Sequence, residues 1–328
     1  MKVGVIGLGA ISPLHISALQ SLGQDIVAIC DIDLDKCKAI NDKFGLCATE
    51  YTDYKLMLKN EELDVVHICT PHYLHAEMIC QALEKNVNVL CEKPLAINFE
   101  QLAQIEESVK TSKAQLGVCF QNRYNASILY LKNFFKGKEV KSASANLIWC
   151  RNKDYYNSAA WRGTQSQEGG GVMINQAIHS LDLLQWICGM PESVTAHVSN
   201  NSLQGVIEVE DTAYGLFSLK NGGNFIINAT NAAAHSFPVF CMFQAGTDVV
   251  ELSAENLIVN GQLLSQKEIL PLFGKQEWGV GHNNLIQDYY ECLSKNKPFS
   301  IDFNEGSKAV RLILKMYQSN GKNITIND

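Results

Sequence analysis

Through the first 120 residues, short apolar runs alternate with stretches of helical period. The runs are Lys2 to Ile6, Ile26 to Cys30, Asp64 to Cys69, Val87 to Cys91 and Gln115 to Phe120. Continuous runs of this length, rich in valine and isoleucine and separated by amphipathic segments, predict strands of a parallel sheet joined by crossover helices. Strand, helix and strand repeated in this way define a doubly wound α/β domain whose ligand crevice lies beyond the carboxyl ends of the strands. Polar side chains directly after each run are therefore where chemistry is expected.

Beyond residue 122 the period changes. An amphipathic stretch leads to a strand-like run at Ser142 to Trp149, a polar aromatic loop extends through Gly171, and one helix reaches about Cys188. From Val194 to Leu264 short alternating runs are punctuated by Asn221-Gly222-Gly223 and Asn260-Gly261, which are hairpin-turn signals, so a mostly antiparallel sheet is expected. Helical periods close the chain at His282 to Lys295 and Asn304 to Ser319. The pattern thus predicts a doubly wound parallel domain over 1–122 and an α+β domain over 123–328.

Composition narrows the partners. Hydrophobic residues at 46% and charged residues at 19% are the balance of a globular protein of two domains. A formal charge of -7 gives no general attraction for nucleic acid or anionic lipid, so an anionic ligand needs a local site. The eleven cysteines include no CxxC pair, which suggests neither a disulfide framework nor a metal site and fits a reducing cytoplasm. The N-terminal MKVGVIGLGAIS is broken by glycines and no apolar run approaches spanning length, so neither a secretory leader nor a membrane segment is expected.

Gly7-Leu8-Gly9-Ala10-Ile11-Ser12 follows the first run and opens a helix. Glycines there let the backbone turn tightly and approach a pyrophosphate at the helix N-terminus, so Gly7, Gly9, Ala10 and Ile11 are expected to contact a dinucleotide in a Rossmann arrangement. Ser12 replaces the third glycine of the usual motif, which weakens it. Asp31 closes the second run 24 residues after Gly7, where a carboxylate accepts from the ribose hydroxyls and repels a 2′-phosphate. Ile32 beside it offers no positive charge, so NAD is expected rather than NADP. Asp33 reads as a helix cap. At the end of the third run, Thr70-Pro71-His72-Tyr73-Leu74-His75 places a polar turn and a histidine at the same edge.

Cys91-Glu92-Lys93-Pro94 then sets a carboxylate and an amine at the crevice, with proline fixing the turn. Far along the chain, the glycines of Glu168-Gly169-Gly170-Gly171 precede Asn175, His179 and Asp182, which share one helix face while Leu181, Leu184 and Ile187 form another stripe. With QNRYN at Gln121 to Asn125 and WRGT at Trp161 to Thr164, this ordered set resembles the Gfo/Idh/MocA family, named for glucose-fructose oxidoreductase and inositol dehydrogenase. The resemblance covers essentially the whole chain.

That resemblance implies an enzyme moving a hydride between NAD and a carbinol carbon of a small-molecule sugar, cyclitol or derivative. Lys93 is implied to sit between nicotinamide and substrate, Glu92 to contact the nicotinamide-side ribose, and Pro94 to follow a cis peptide. His179 is implied to transfer the proton. Asn175 stands where the family typically has aspartate; it can orient a hydroxyl but cannot titrate. Thr70, Pro71, His75, Gln121, Trp161 and Arg162 join the implied cofactor contacts, and Arg123 joins Lys93, Asn175 and His179 around the substrate. A sugar nucleotide held by Arg123, Arg151 or Arg162 is the main alternative. A catalytically silent sensor is another, against which Lys93 and His179 both argue. Sheet-to-sheet packing into a homodimer or homotetramer is also implied.

Overall fold

Each apolar run of the first 120 residues forms a parallel strand in the computed structural model, which describes residues 1–253, 256–265 and 281–326. Strands β1 (Lys2–Ile6), β2 (Asp25–Cys30), β3 (Thr49–Tyr51), β4 (Val65–Ile68), β5 (Asn88–Glu92) and β6 (Leu116–Cys119) pair in the order β3-β2-β1-β4-β5-β6. The order reverses between β1 and β4, and in such sheets the ligand crevice opens at that point. β3 has no counterpart among the predicted runs, because Thr-Glu-Tyr is a short, half-exposed edge strand without an apolar core. Helices Ser12–Ser21, Leu34–Phe44, Tyr54–Asn60, His75–Glu84 and Phe99–Thr111 provide the crossovers.

The first compact unit comprises Met1–Tyr124 together with Ile269–Ser307, and the second comprises Asn125–Glu268 with Lys308–Asp328. The expected division at 122/123 therefore needs correction, since the helix Gly281–Ser294 belongs with the parallel sheet. Its Tyr289 is fully buried, with the hydroxyl 3.0 Å from the Val89 carbonyl and 3.1 Å from that of Gln115. Gly117 leaves room for this ring, because a side chain there would come within 2.8 Å of it. The Val118 N–H also donates to the Ile301 carbonyl at 3.0 Å. Periodicity gives the helix but not the sheet it covers.

In the second unit β7 (Ser142–Ile148), β8 (Pro191–Ser199), β9 (Thr212–Leu219), β10 (Asn224–Thr230), β11 (Phe240–Ala245), β12 (Asp248–Ser253), β13 (Asn256–Val259), β14 (Gln262–Ser265) and β15 (Ile324–Thr325) form one sheet, ordered β14-β13-β12-β11-β7-β10-β9-β8-β15. The β7–β10 pairing is parallel and the others are antiparallel. The two predicted turns join β9 to β10 and β13 to β14, the latter with Asn260 at φ 49° and Gly261 at φ 79°, the conformation a tight hairpin demands. One face buries Ala143, Leu147, Phe217 and Phe225 against neighbours that include the helix Ile178–Cys188. The other leaves Tyr214, Leu216 and Ile226 exposed. Among the described residues no helix is long and apolar enough to cross a membrane.

Candidate active site

The glycine loop is shaped for an anionic ligand. Gly7 has φ 86°, and a side chain there would lie 2.8 Å from the Cys69 carbonyl and Thr70 Cγ2, so only glycine passes. Gly9 and Ala10 are exposed, and a side chain at Gly9 would meet nothing within 4 Å. The helix Ser12–Ser21 begins at Ile11 with no side-chain cap and with proline in its first turn, which leaves its N-terminal dipole for a bound phosphate. Ser12, in the third-glycine position, is fully buried and its hydroxyl donates to the Gly9 carbonyl at 3.0 Å, closing the loop from inside. Asp31 accepts from the Leu8 N–H at 2.9 Å and the Asp33 N–H at 3.1 Å, tying the loop to the end of β2. Lys36 Nζ lies 3.6 Å from Asp31 Oδ1, one helical turn beyond the uncharged Ile32. Asp33 is a cap, accepting from the Asp35 N–H. Thr70 and Pro71 are half-buried, and Gln121 is buried with Oε1 lacking a protein partner. These features fit NAD.

Three of the implied contacts have partners within the first unit. His75 is fully buried, with Nδ1 2.7 Å from the Pro94 carbonyl and Nε2 2.9 Å from that of Thr70, and burial lowers its pKa. It braces two turns. Arg123 is 4% exposed, ion-paired with Glu305 at 2.9 Å and placed over the Phe120 ring, so its fork is used inside the first unit. Glu92 lies among imidazoles: Oε1 is 3.0 Å from His15 Nε2 and 3.4 Å from His282 Nε2, while Oε2 accepts from the Lys93 N–H at 3.3 Å. Its carboxylate supports the Lys93 turn from below. Lys93 itself is half-buried and precedes a cis peptide to Pro94.

The Glu92 network continues through His15 Nδ1 to His67 Nδ1 at 2.8 Å, and from His67 Nε2 to the Tyr290 hydroxyl at 3.0 Å. Neutral rings can satisfy these contacts, with His15 donating to Glu92 and accepting from a His67 that itself accepts from Tyr290, but the raised pKa of His15 favours a second assignment. A cationic His15 donates to Glu92 and to His67, and a neutral His67 donates to Tyr290. Burial opposes the charge on His15, but Cys69, Cys119 and Glu92 together hold its pKa well above the usual range. Burial likewise opposes the charge on Glu92, yet His15 and His282 keep its pKa well below the usual carboxylate range. Burial and the His15 charge hold His67 neutral. His15, Glu92 and Cys119 also bring ligand-type atoms within 4.8 Å of one another, a grouping the cysteine pattern did not suggest.

In the second unit the predicted helix begins as a π-turn, Met173–Ala177, before the α-helix Ile178–Cys188, a distortion that often accompanies functional sites. Gly170 and Gly171 allow it, because side chains there would collide with the Tyr317 hydroxyl and the Glu210 backbone. Glu210, buried just before β9, accepts from the N–H groups of Gly171 at 2.8 Å and Met173 at 3.0 Å, capping the turn from a segment distant in sequence. From residue 168 to residue 185, Asn175 and His179 alone are not buried. Asp182, on the face they were expected to share, is buried and accepts from Gln185 Nε2 at 3.2 Å.

Beside this turn stands a layer of aromatic rings and guanidinium groups. Arg162 lies over Tyr155 at 4.5 Å and Trp161 at 4.7 Å, and Arg151 over Trp149 at 4.7 Å and Tyr155 at 5.1 Å. The Tyr155 hydroxyl receives Arg162 Nη1 at 2.5 Å and Gln176 Nε2 at 3.0 Å. Sequence reasoning missed Tyr155, Glu168 and the buried histidines. Glu168 had a signal, its place directly before the glycine run, whereas the histidines meet only through tertiary packing.

A parallel sheet of this order, with a glycine loop open at its switch point, defines a dinucleotide-binding protein. Residues 1–120 match the Gfo/Idh/MocA oxidoreductase family with its NAD-binding Rossmann fold, and residues 139–247 match a C-terminal domain of the same family. The chain belongs to this family. It is 23% identical over 302 residues to inositol 2-dehydrogenase of Salmonella typhimurium, spanning 91% of this chain and 87% of that protein. It is 27% identical over 354 aligned positions to D-glucoside 3-dehydrogenase of Escherichia coli, spanning 97% and 95%. Its fold resembles the WlbA dehydrogenase of Bordetella pertussis, solved with NADH and UDP-GlcNAcA, at a TM-score of 0.87 and 25% identity over 100% of this chain and 99% of that one.

Proposed function

We propose that this chain is a cytoplasmic NAD-dependent dehydrogenase acting on a CH–OH carbon of a sugar, a cyclitol or a derivative of one. The observation that carries the reading is the pair Asn175 and His179, left open in an otherwise buried segment behind the glycine run. Gly7, Gly9, Ala10, Ile11, Asp31, Thr70, Pro71 and Gln121 are the proposed NAD contacts of the first unit, and Trp161 and Arg162 are those of the second. Bound NAD supplies the hydride acceptor. The proposed roles are proton acceptor from the hydroxyl for His179, support of alkoxide character for Lys93, and orientation of a hydroxyl for Asn175. Relatives that act on inositol and glucosides support this substrate class.

A specific observation favours a substrate with an anionic group. Among the described residues Arg151 and Arg162 make no ion pair, and the buried Nε of each has no partner. Guanidinium forks stacked on rings suit a carboxylate or phosphate. NAD reduction across polyols, aldoses, inositols, uronic acids and UDP-sugars tests both readings, with turnover confined to acids and UDP-sugars selecting the anionic one. NAD binding without turnover of any of them would overturn the dehydrogenase reading in favour of a sensor.

A further inference from the structure

Asn175 is tied to a buried acid. Its Nδ2 donates to Glu168 Oε1, and the other carboxylate oxygen accepts from the Gly163 N–H. Glu168 is 1% exposed. An amide has a donor end and an acceptor end, so whichever end faces Glu168 decides which end faces away. A carboxylate accepts only and takes the NH2 end; a protonated carboxyl offers its O–H and takes the oxygen end.

We propose that Glu168 is a positioning residue that sets the polarity of Asn175. When ionised, it directs the Asn175 carbonyl toward a substrate hydroxyl; when protonated, it directs the NH2 group there and weakens substrate binding. The inference rests on Asn175 being a substrate contact. Arg162 faces Glu168 and favours its charge, while the buried carboxyl of Glu210 opposes it. The surrounding phenols are Tyr155, which lies 3.5 Å from Asn175 Nδ2, Tyr156, and Tyr317, which donates to Glu210. Burial outweighs the hydrogen bonds from Gly163 and Asn175, and the acid is pushed up to about 7. Both orientations of Asn175 are therefore populated around neutral pH.

The test compares wild type, Glu168→Gln and Glu168→Asp with the substrate found by the screen. Wild-type KM should rise about three- to tenfold as pH falls through neutrality, the scale of one net hydrogen bond, with NAD affinity unchanged. Glu168→Gln should hold KM high and independent of pH, and Glu168→Asp should restore the pH dependence. A second readout uses no substrate: in 15N-labelled protein the Asn175 side-chain amide resonances should titrate near neutrality in wild type and not in Glu168→Gln. An Asn175 amide insensitive to pH, or a wild-type KM profile in Glu168→Gln, overturns the proposal. If Asn175→Ala leaves KM unchanged while the wild-type amide still titrates, the substrate contact itself is wrong.

Discussion

Lys93 stands half-buried directly after β5, where its backbone N–H donates to Glu92. Lys93→Met should leave NAD affinity near wild type and lower kcat by about 10²-fold or more, the scale of losing an electrostatic or proton-transfer group. Steady-state kinetics beside calorimetric NAD titration would show it, and near-normal kcat would make the residue structural. Asp31→Ala should relax the preference for NAD, measured as the ratio of kcat/KM with NAD to that with NADP. Lys36, at 3.6 Å from Asp31, is placed to meet a 2′-phosphate once the carboxylate is gone. An unchanged ratio would place ribose recognition elsewhere. The positions of Asp31 and Lys93 directly after strands were legible because each follows a continuous apolar run. His75, Arg123 and Glu92 sit in equally plain motifs, yet their partners Pro94, Glu305 and His15 lie 19, 182 and 77 positions away, a distance no local pattern records.

At the scale of elements, the His15–Glu92 pair fastens the helix Ser12–Ser21 to β5, and His67 and Tyr290 extend the link to β4 and the helix Gly281–Ser294. Removing one partner leaves a buried charge uncompensated, so His15→Ala should cost about 3–5 kcal/mol in urea unfolding near pH 6. The sign follows from both shifts. The raised His15 pKa gives stability that is full below the ordinary imidazole value of 6.5 and lost as pH rises through the folded value. The lowered Glu92 pKa gives stability that is full above 4.5 and lost as pH falls through the folded value. Both contributions are complete between those two ordinary values, so the deficit of His15→Ala should peak there and shrink toward strongly acid and strongly alkaline pH. A deficit independent of pH would mean that packing, not charge, links these elements. Strand positions were readable because buried parallel strands need continuous apolar runs. The π-turn at Met173–Ala177 was not, because it depends on Glu210 meeting it from 35 or more residues away.

For the whole molecule, the change of period after residue 122 revealed two units, but the return of the Gly281–Ser294 helix to the first was hidden by chain order. The nine-stranded sheet raises a question that a single chain does not answer. On its uncovered face Leu216 and Ile226 are paired across β9 and β10 at 44% and 47% exposure, with Tyr214 beside them at 55%. His197 on β8 and Ser144 on β7 extend the same face, pairing with Tyr214 and Ile226, and it bears no charged group at these positions. Large apolar side chains grouped on a sheet face, rather than scattered singly, mark a surface that is covered in solution. A second copy presenting the same face would bury the patch through a twofold axis, as closed homo-oligomers commonly do. Light scattering on the purified protein should therefore give a multiple of the 36.3 kDa chain mass. Leu216→Glu with Ile226→Lys should shift it toward the monomer while far-ultraviolet circular dichroism stays unchanged, because both side chains point away from the core that Phe217 and Phe225 fill. A wild-type monomer at micromolar concentration would remove the oligomer, and a multimer indifferent to the double substitution would move its interface to another surface.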